Sequence, residues 1–385
     1  MRSAVLRFFL PLVSRVLSRF CRIDKRIWIF GLEDPAQGVY ELVDNSKYLF
    51  LVASNEFKGT IRPIWISWTR RLAMMLRRRG YESYWVMSTR GLEFALQAGC
   101  FFSHMGRGVM QEMVGCGRAL KVELWHGIPL KTVHESVQAN CVVATSESLR
   151  NVFASCLGVR PSQVIVSGYP RNDALLRTVN GYDIGVRRIL NSVLEVKKSA
   201  RIVLYAPTYR DYLSTSPDEL MKYLHIDKAR LDQVLRENGA CLIAKFHKLL
   251  KHSNASQGLE KISERVYAIN EPVDLYPILT QTDVLVTDYS SVFFDFLFLD
   301  RPIVFYVPDC ERYLRERGFC LDFDAYTPGA KAKSFEQLLL ALGDALMGND
   351  QFVRQRKEVR ERVFDNVDGL SSERVIRCVM KILDL

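Results

Sequence analysis

Short apolar runs alternate with helical patterns along most of this chain, and that alternation limits the fold more than any other feature. Strand-like runs fall near residues 48–52, 64–67, 84–87, 121–125, 141–144 and 163–166. A second series follows near 202–206, 241–246, 266–269, 284–287 and 303–306. Helical patterns separate them, as at 70–79, 147–157, 228–237, 273–280 and 291–299. Strand, helix and strand in succession predict parallel sheets flanked by helices. The expected fold class is therefore α/β, in two similar halves.

A length of 385 residues suits two domains at roughly 150 residues each. A polar helical stretch at 179–199 reads as the connection between domains at 27–178 and 200–385. The second takes the helical tail patterns near 335–346, 351–364 and 372–383. Two such domains are expected to enclose a cleft lined by loops at strand carboxyl ends. Hydrophobic residues at 48% and charged ones at 25% exclude a disordered chain. The net charge of +10 calls for an anionic partner, a nucleotide or a membrane surface. Nucleic acid ranks lower, because no nucleic-acid-binding motif accompanies the charge. The nine cysteines have no CxxC spacing and read as free thiols in a reducing compartment.

Residues 1–26 hold seven basic side chains and one acid among bulky apolar residues. Arg7, Arg15 and Arg19 leave the apolar run too short to span a bilayer. The segment fits a helix lying in an anionic membrane interface, although a helix packed on its own domain fits too, and Pro11 interrupts either one. Arg70, Arg71, Arg77, Arg78 and Arg79 form a second basic run, which extends a membrane-facing surface or is a solvated helix face.

Candidate chemistry clusters at expected strand ends. The run Val284-Leu-Val-Thr-Asp-Tyr-Ser-Ser-Val-Phe-Phe-Asp295 is a strand that turns directly into a helix. Such a corner offers free backbone N–H groups and a helix dipole to an anion, most often a phosphate. Thr287, Ser290 and Ser291 add hydroxyl donors, and Asp288 is expected to cap the helix. A capped helix without a ligand would have the same residues.

His126 follows a strand in Glu123-Leu-Trp-His-Gly-Ile-Pro-Leu-Lys131. An imidazole there is a natural general base, or else a hydrogen-bonded structural histidine. In Tyr205-Ala-Pro-Thr-Tyr-Arg-Asp211, Thr208 and Arg210 suit a phosphate or ribose, while Arg210 and Asp211 also suit a surface ion pair. Lys245 and His247 share one face of a strand end and suit a diphosphate. GxGxxG and GxxxxGK[ST] are absent, which counts against dinucleotide oxidoreductases and P-loop enzymes. Asp322 and Asp324 sit in an irregular stretch better suited to a surface or hinge than to a metal-bound nucleotide, and no histidine cluster has metal-ligand spacing.

Taken in order, the motifs resemble the CDP-glycerol glycerophosphotransferase family of teichoic acid and capsule polymerases and primases. They are Trp125-His-Gly-Ile-Pro-Leu-Lys131, Gly168-Tyr-Pro-Arg-Asn-Asp173, Tyr205-Ala-Pro-Thr-Tyr-Arg-Asp211 and Lys245-Phe-His247. Asp274-Leu-Tyr276, Thr287-Asp-Tyr-Ser-Ser-Val-Phe-Phe-Asp295, Arg317-Gly-Phe319 and Asp368-Gly-Leu-Ser-Ser-Glu-Arg374 follow.

The resemblance implies a GT-B fold, two Rossmann-like domains with parallel sheets about a central cleft. It implies a CDP-glycerol or related CDP-polyol donor, a lipid-linked glycan acceptor and work at the cytoplasmic face of the membrane. His126 would be the base. His247, Arg210 and the helix beginning near Ser290 would meet the diphosphate, with Thr208, Lys245, Thr287, Asp288, Ser291 and Asp295 on the donor side. No metal is required by this arrangement, and a loosely bound Mg²⁺ stays open. Ile128, Tyr209, Lys248 and Ala330 depart from the family's usual residues and bear on which polyol or acceptor is used. Two other readings remain: a GT-B glycosyltransferase using a nucleotide sugar, and a non-catalytic nucleotide-binding assembly protein.

Overall fold

The computed structural model describes residues 21–32, 42–105, 118–208, 222–245, 258–269 and 273–385. Arg210 and His247 lie outside them, as does most of the basic N-terminal segment. The chain divides into two compact units. The first comprises the described residues up to His126, then 134–182 and 365–385; the second comprises 127–133 and 183–364.

The first unit carries strands β1 (Asp24–Phe30), β2 (Arg62–Ser67), β3 (Ser83–Trp85), β4 (Ala98–Ser103), β5 (Leu120–Glu123), β6 (Cys141–Ala144) and β7 (Val164–Val166). Helices α1 (Asp44–Glu56), α2 (Arg70–Arg78), α3 (Thr89–Gln97), α4 (Arg150–Leu157) and α5 (Asp173–Leu176) intervene. The sheet is parallel throughout, in the order β3-β2-β1-β4-β5-β6-β7. The order reverses between β1 and β4. In such sheets ligands bind beyond the strand carboxyl ends at that switch point.

The second unit begins with α6 (Arg187–Lys197) and builds β8 (Arg201–Ala206), β9 (Ala240–Lys245), β10 (Leu259–Lys261), β11 (Val266–Ile269), β12 (Val284–Thr287), β13 (Ile303–Tyr306) and β14 (Ala330–Ala332). Its order is β10-β11-β9-β8-β12-β13-β14, parallel except for the pairing of β10 with β11. The switch point here lies between β8 and β12. Helices α7 (Lys228–Glu237), α8 (Tyr276–Leu279), α9 (Val292–Phe296), α10 (Cys310–Arg317), α11 (Phe323–Tyr326), α12 (Phe335–Met347) and α13 (Val353–Val363) complete it. Val203, Val286, Val304, Leu338 and Leu342 are among the side chains of its core.

Several expectations change. Residues 48–52 are not a strand but the middle of α1, where Asn45 through Ala53 are all buried. A short apolar run reads alike for a buried strand and for a helix covered on every side. Residues 24–26 begin the strand β1 and not a helix; Asp24, Lys25 and Arg26 are exposed and Ile27 to Phe30 buried. Residues 179–199 are not a linker throughout, since α6 packs within the second unit. There Asp283 receives both Lys197 and the Ile202 N–H, the latter at 2.7 Å.

The tail also divides differently. Residues 365–385 belong to the first unit, where α14 (Ser371–Leu383) packs on α1. Asp173 holds its start, accepting the Ser371 and Ser372 N–H groups at 2.8 Å each. Arg374 donates to the Ser167 carbonyl at 2.9 Å. Gly168, at φ +82°, lies so close that a Cβ there would sit 2.5 Å from the Ser371 hydroxyl. The family-like stretches at 168–173 and 368–374 are thus one structural joint.

The eight cysteines among the described residues are all free. Among those residues no helix is long and apolar enough to cross a membrane.

Candidate active site

In the first unit, β5 ends at Glu123 and the chain turns sharply through Leu124 and Trp125 to His126. Trp125 is in the left-handed region at φ +55°, an uncommon conformation for so bulky a residue. The His126 Nδ1 lies 2.9 Å from the His104 carbonyl oxygen. A carbonyl only accepts, so Nδ1 carries the hydrogen and Nε2 keeps its lone pair. This is the tautomer that a general base needs. The side chain reaches solvent, yet the surrounding protein displaces enough water to draw its pKa from 6.5 down to about 4, against the pull of Asp44. It is neutral at pH 7.

Around His126 lies a polar cluster from three distant stretches of sequence. Arg171, 3% exposed, pairs with Asp44 at 2.7 Å and donates to the His126 carbonyl at 2.9 Å. Asn45 accepts the Arg171 N–H at 3.1 Å and donates to the Trp125 carbonyl at 2.8 Å. His104 meets the Ser46 hydroxyl through its own Nδ1 at 2.9 Å. Burial alone would raise the Asp44 pKa, but Arg171, His104 and His126 outweigh it and hold the carboxyl below its ordinary value. Asp44 is therefore a carboxylate at neutral pH, and the Arg171 charge is matched.

In the second unit the switch point brings together Thr208, Thr287 and Asp288. Thr287 stands level with Ala206 and donates its hydroxyl to that carbonyl at 2.8 Å, tying β12 to β8. Asp288 does not cap the following helix as expected. Its carboxylate receives the Thr208 N–H on both oxygens, at 2.9 and 3.0 Å, and the Tyr289 N–H at 2.5 Å. The helix itself is shorter than 291–299: α9 ends at Phe296 and a 3₁₀ turn over Leu297–Leu299 follows. Asp295 is buried and accepts the Tyr276 hydroxyl at 2.8 Å, tying α9 to α8. Ser290 and Ser291 stay half-buried at the corner.

Ser291 packs against Gly127, where a Cβ would lie 2.3 Å from the serine hydroxyl, so any larger residue there would have to displace that hydroxyl. Lys245 ends β9, and desolvation lowers its ammonium pKa to about 8. A desolvated cation gains most from an anion beside it. Tyr289 anchors the corner from below. It is fully buried, stacked on Tyr313 with centroids 3.9 Å apart, and donates its hydroxyl to Asp309 at 2.9 Å.

A cavity of about 890 Å³ opens one to two strands outward from the switch point, beyond β13 and β14. Lys222, Tyr223, His225, Arg312, Arg315 and Lys333 are among its lining residues. The charge and aromatic content suit an anionic ligand with a flat ring. Among the described residues no group of three or more His, Cys, Asp or Glu side chains could hold a metal ion.

Sequence reasoning missed Asp44, Asn45, His104 and Arg171. Arg171 stood in a recognised motif, but its targets are a carboxylate 127 residues away and a backbone carbonyl, which leave no trace in local side-chain spacing. Asp44 and Asn45 stand four and three residues before the misread apolar run; the pair is a helix-start signal that could have corrected it.

Comparison with known proteins settles the grouping. The family model for CDP-glycerol:poly(glycerophosphate) glycerophosphotransferase matches residues 36–381. The chain belongs to this family. Among curated members, a teichoic acid poly(glycerol phosphate) polymerase of Bacillus spizizenii is 31% identical over 244 residues, covering 57% of this chain and 60% of that protein. The ribitol-phosphate polymerase TarL of Staphylococcus aureus is 28% identical over 233 residues, covering 60% of this chain and 40% of its own length. This family member thus spans 40% to 60% of those relatives.

Among solved structures, the wall teichoic acid polymerase TagF superposes with a TM-score of 0.76 at 18% identity, covering 100% of this chain and 96% of that one. That likeness shows the fold, the GT-B type. S. aureus MnaA, solved with UDP, has a TM-score of 0.53 at 15% identity, over 93% of this chain and 96% of that one. So remote a likeness reaches the architecture and not the chemistry.

Proposed function

We propose that this family member transfers glycerol phosphate, or a related polyol phosphate, from a CDP-activated donor to a hydroxyl of a membrane-linked acceptor. CMP leaves, and the product is a teichoic acid-like or capsular polymer. The observation that carries the reading is the His126 tautomer, with Nδ1–H committed to the His104 carbonyl and Nε2 open to accept.

In the proposed step the acceptor oxygen attacks the β-phosphorus in line. The new O–P bond forms as the bond from the β-phosphorus to the bridging oxygen breaks, and that electron pair leaves on CMP. The acceptor proton passes to His126 Nε2. A positioned base contributes typically ~10²–10⁴-fold. Lys245 and the hydroxyls of Ser290 and Ser291 are the donor-side groups best suited to the diphosphate, together with Arg210 and His247 of the family motifs. Thr208, Thr287, Asp288 and Asp295 build the frame of that corner. The basic cavity beyond β13 suits the nucleoside end, where Tyr223 could stack on the base. The step as written draws on side chains alone and assigns no cofactor.

The acceptor places the work at the cytoplasmic face of the membrane. The basic N-terminal residues support this, as does the exposed arginine face of α2.

The test is CMP release from CDP-glycerol and CDP-ribitol with a lipid-linked glycerol phosphate acceptor, beside a panel of UDP- and CMP-sugars. Turnover with a CDP-polyol and its loss in His126→Ala are expected. Release only from a nucleotide sugar, or full turnover in a folded His126→Ala protein, sinks the reading.

A further inference from the structure

The turn that presents His126 cannot hold itself. Trp125 is in the left-handed region at φ +55°, where a bulky side chain persists only when its surroundings over-determine it. Side chains hold the Trp125 N–H and the three successive carbonyls of Leu124, Trp125 and His126, while the Leu124 N–H pairs with the Ser103 carbonyl. Glu123 accepts the Trp125 N–H at 2.9 Å. Asn45 donates to the Trp125 carbonyl at 2.8 Å and more weakly to the Leu124 carbonyl at 3.4 Å. Arg171 donates to the His126 carbonyl at 2.9 Å.

Arg171 is itself fixed from three sides. Its Nη1 shares its two hydrogens between Asp44 and the His126 carbonyl. Its backbone N–H is taken by Asn45. Its guanidinium lies over the Tyr169 ring, 4.9 Å from the centroid. A buried ion pair adds little net stability by itself, because desolvation offsets the Coulomb gain. The directed contacts of Arg171 to the His126 carbonyl and of its partner Asn45 to the Trp125 carbonyl point to a different use.

We propose that Arg171, locked by Asp44 and Asn45, is a positioning residue that holds the Trp125–His126 turn and thereby aims the imidazole. The proposal rests on the reading of His126 as the base. Arg171 touches the His126 main chain and not the reacting atoms, so its effect on turnover runs through the direction of the ring. A misplacement on the order of 1 Å costs roughly 10²-fold in rate.

The experiment measures CMP release from CDP-glycerol at saturating acceptor for Arg171→Met, Arg171→Lys and Asn45→Asp, each checked for folding by thermal denaturation. Arg171→Met is expected to lower kcat about 100-fold with KM for CDP-glycerol within about threefold, the signature of lost orientation. Arg171→Lys is expected to recover about tenfold of that, since a single ammonium reaches one acceptor where the guanidinium serves two. Asn45→Asp keeps the acceptor for Arg171 but loses the donor to Trp125, and should show the same split with Arg171 intact.

The deciding comparison is the double variant. On a His126→Ala background Arg171→Met should cost nothing further, because its effect has nowhere left to act. An equal loss on both backgrounds, or a change confined to KM, overturns the proposal even if His126 is the base. Should Arg171→Met fail to fold, unchanged kcat in Asn45→Asp overturns it as well. Full turnover in His126→Ala alone removes the base, and the positioning role with it.

Discussion

Asp288 receives the Thr208 backbone N–H on both carboxylate oxygens, at 2.9 and 3.0 Å, across 80 residues of sequence. The two residues lie just beyond the ends of neighbouring strands at the switch point of the second sheet, so this contact sets the shape of the corner. Asp288→Ala leaves two buried N–H groups, those of Thr208 and Tyr289, without their acceptor. Each orphaned donor costs ~1–3 kcal/mol. Urea unfolding should show a loss of about 2–5 kcal/mol, and Asp288→Asn, which keeps one acceptor oxygen, should lose less. A variant as stable as the parent would show that the corner does not depend on this carboxylate.

Protonation of His126 defines a pH prediction. Its pKa falls to about 4 by desolvation, so the base is available across the neutral range and the acid limb of kcat/KM belongs near pH 4 to 5. Asp44 opposes the fall, so Asp44→Asn should move the limb lower still. Titration of the His126 ring protons by NMR reads the same value directly, and a midpoint at the ordinary 6.5 contradicts it. For stability the sign is also set. The unfolded chain protonates this ring near 6.5 and the native protein only near 4, so acidification across that window weakens the fold through His126.

Asp173 runs the opposite way. Burial raises its carboxyl to about 6 despite the N–H groups of Ser371 and Ser372. Between 3.8 and about 6 the native protein holds a proton that the unfolded chain has lost, so stability falls as pH rises through that window. The slope approaches ~1.4 kcal/mol per pH unit. In Asp173→Asn this component is gone, and the stability advantage of the parent over the variant should shrink from pH 4.5 to pH 6.5. Denaturant titrations at the two values measure it; a constant difference would contradict the raised pKa.

The arginine face of α2 makes a membrane prediction. Arg70 and Arg77 lie over the rings of Trp85 and Tyr84, while Arg71, Arg78 and the half-exposed Met74 point outward. Each basic residue near an anionic surface contributes ~1 kcal/mol, so Arg71→Glu with Arg78→Glu should weaken co-sedimentation with phosphatidylglycerol vesicles by at least about tenfold. Added salt should weaken the parent's binding too. Unchanged binding of the double variant would remove this face from the interface.

Much of the second unit was legible beforehand. Strands β11, β12 and β13 lie at the expected residues, because each is an apolar run bounded by polar turns. The edge strands β10 and β14 have three residues each, too few to establish a period. In the first unit α1 is buried all round and offered no polar face to betray its helical period. Among the site residues, His126 and Lys245 could be placed at strand ends by counting alternation. Asp288 looked like a cap because its spacing to the helix is right, yet Thr208 offered a better-placed donor from the next strand.

Local chemistry, then, was written in the chain: alternating strands and helices, hydroxyls and cations at strand ends, and motifs that sort it into its family. Partnership was decided only in three dimensions. Residues 44, 126 and 171, or 208 and 288, meet because sheet order places distant strand and helix ends side by side. Backbone acceptors such as the His126 carbonyl are the same in every residue, so no sequence pattern announces which side chain will reach them.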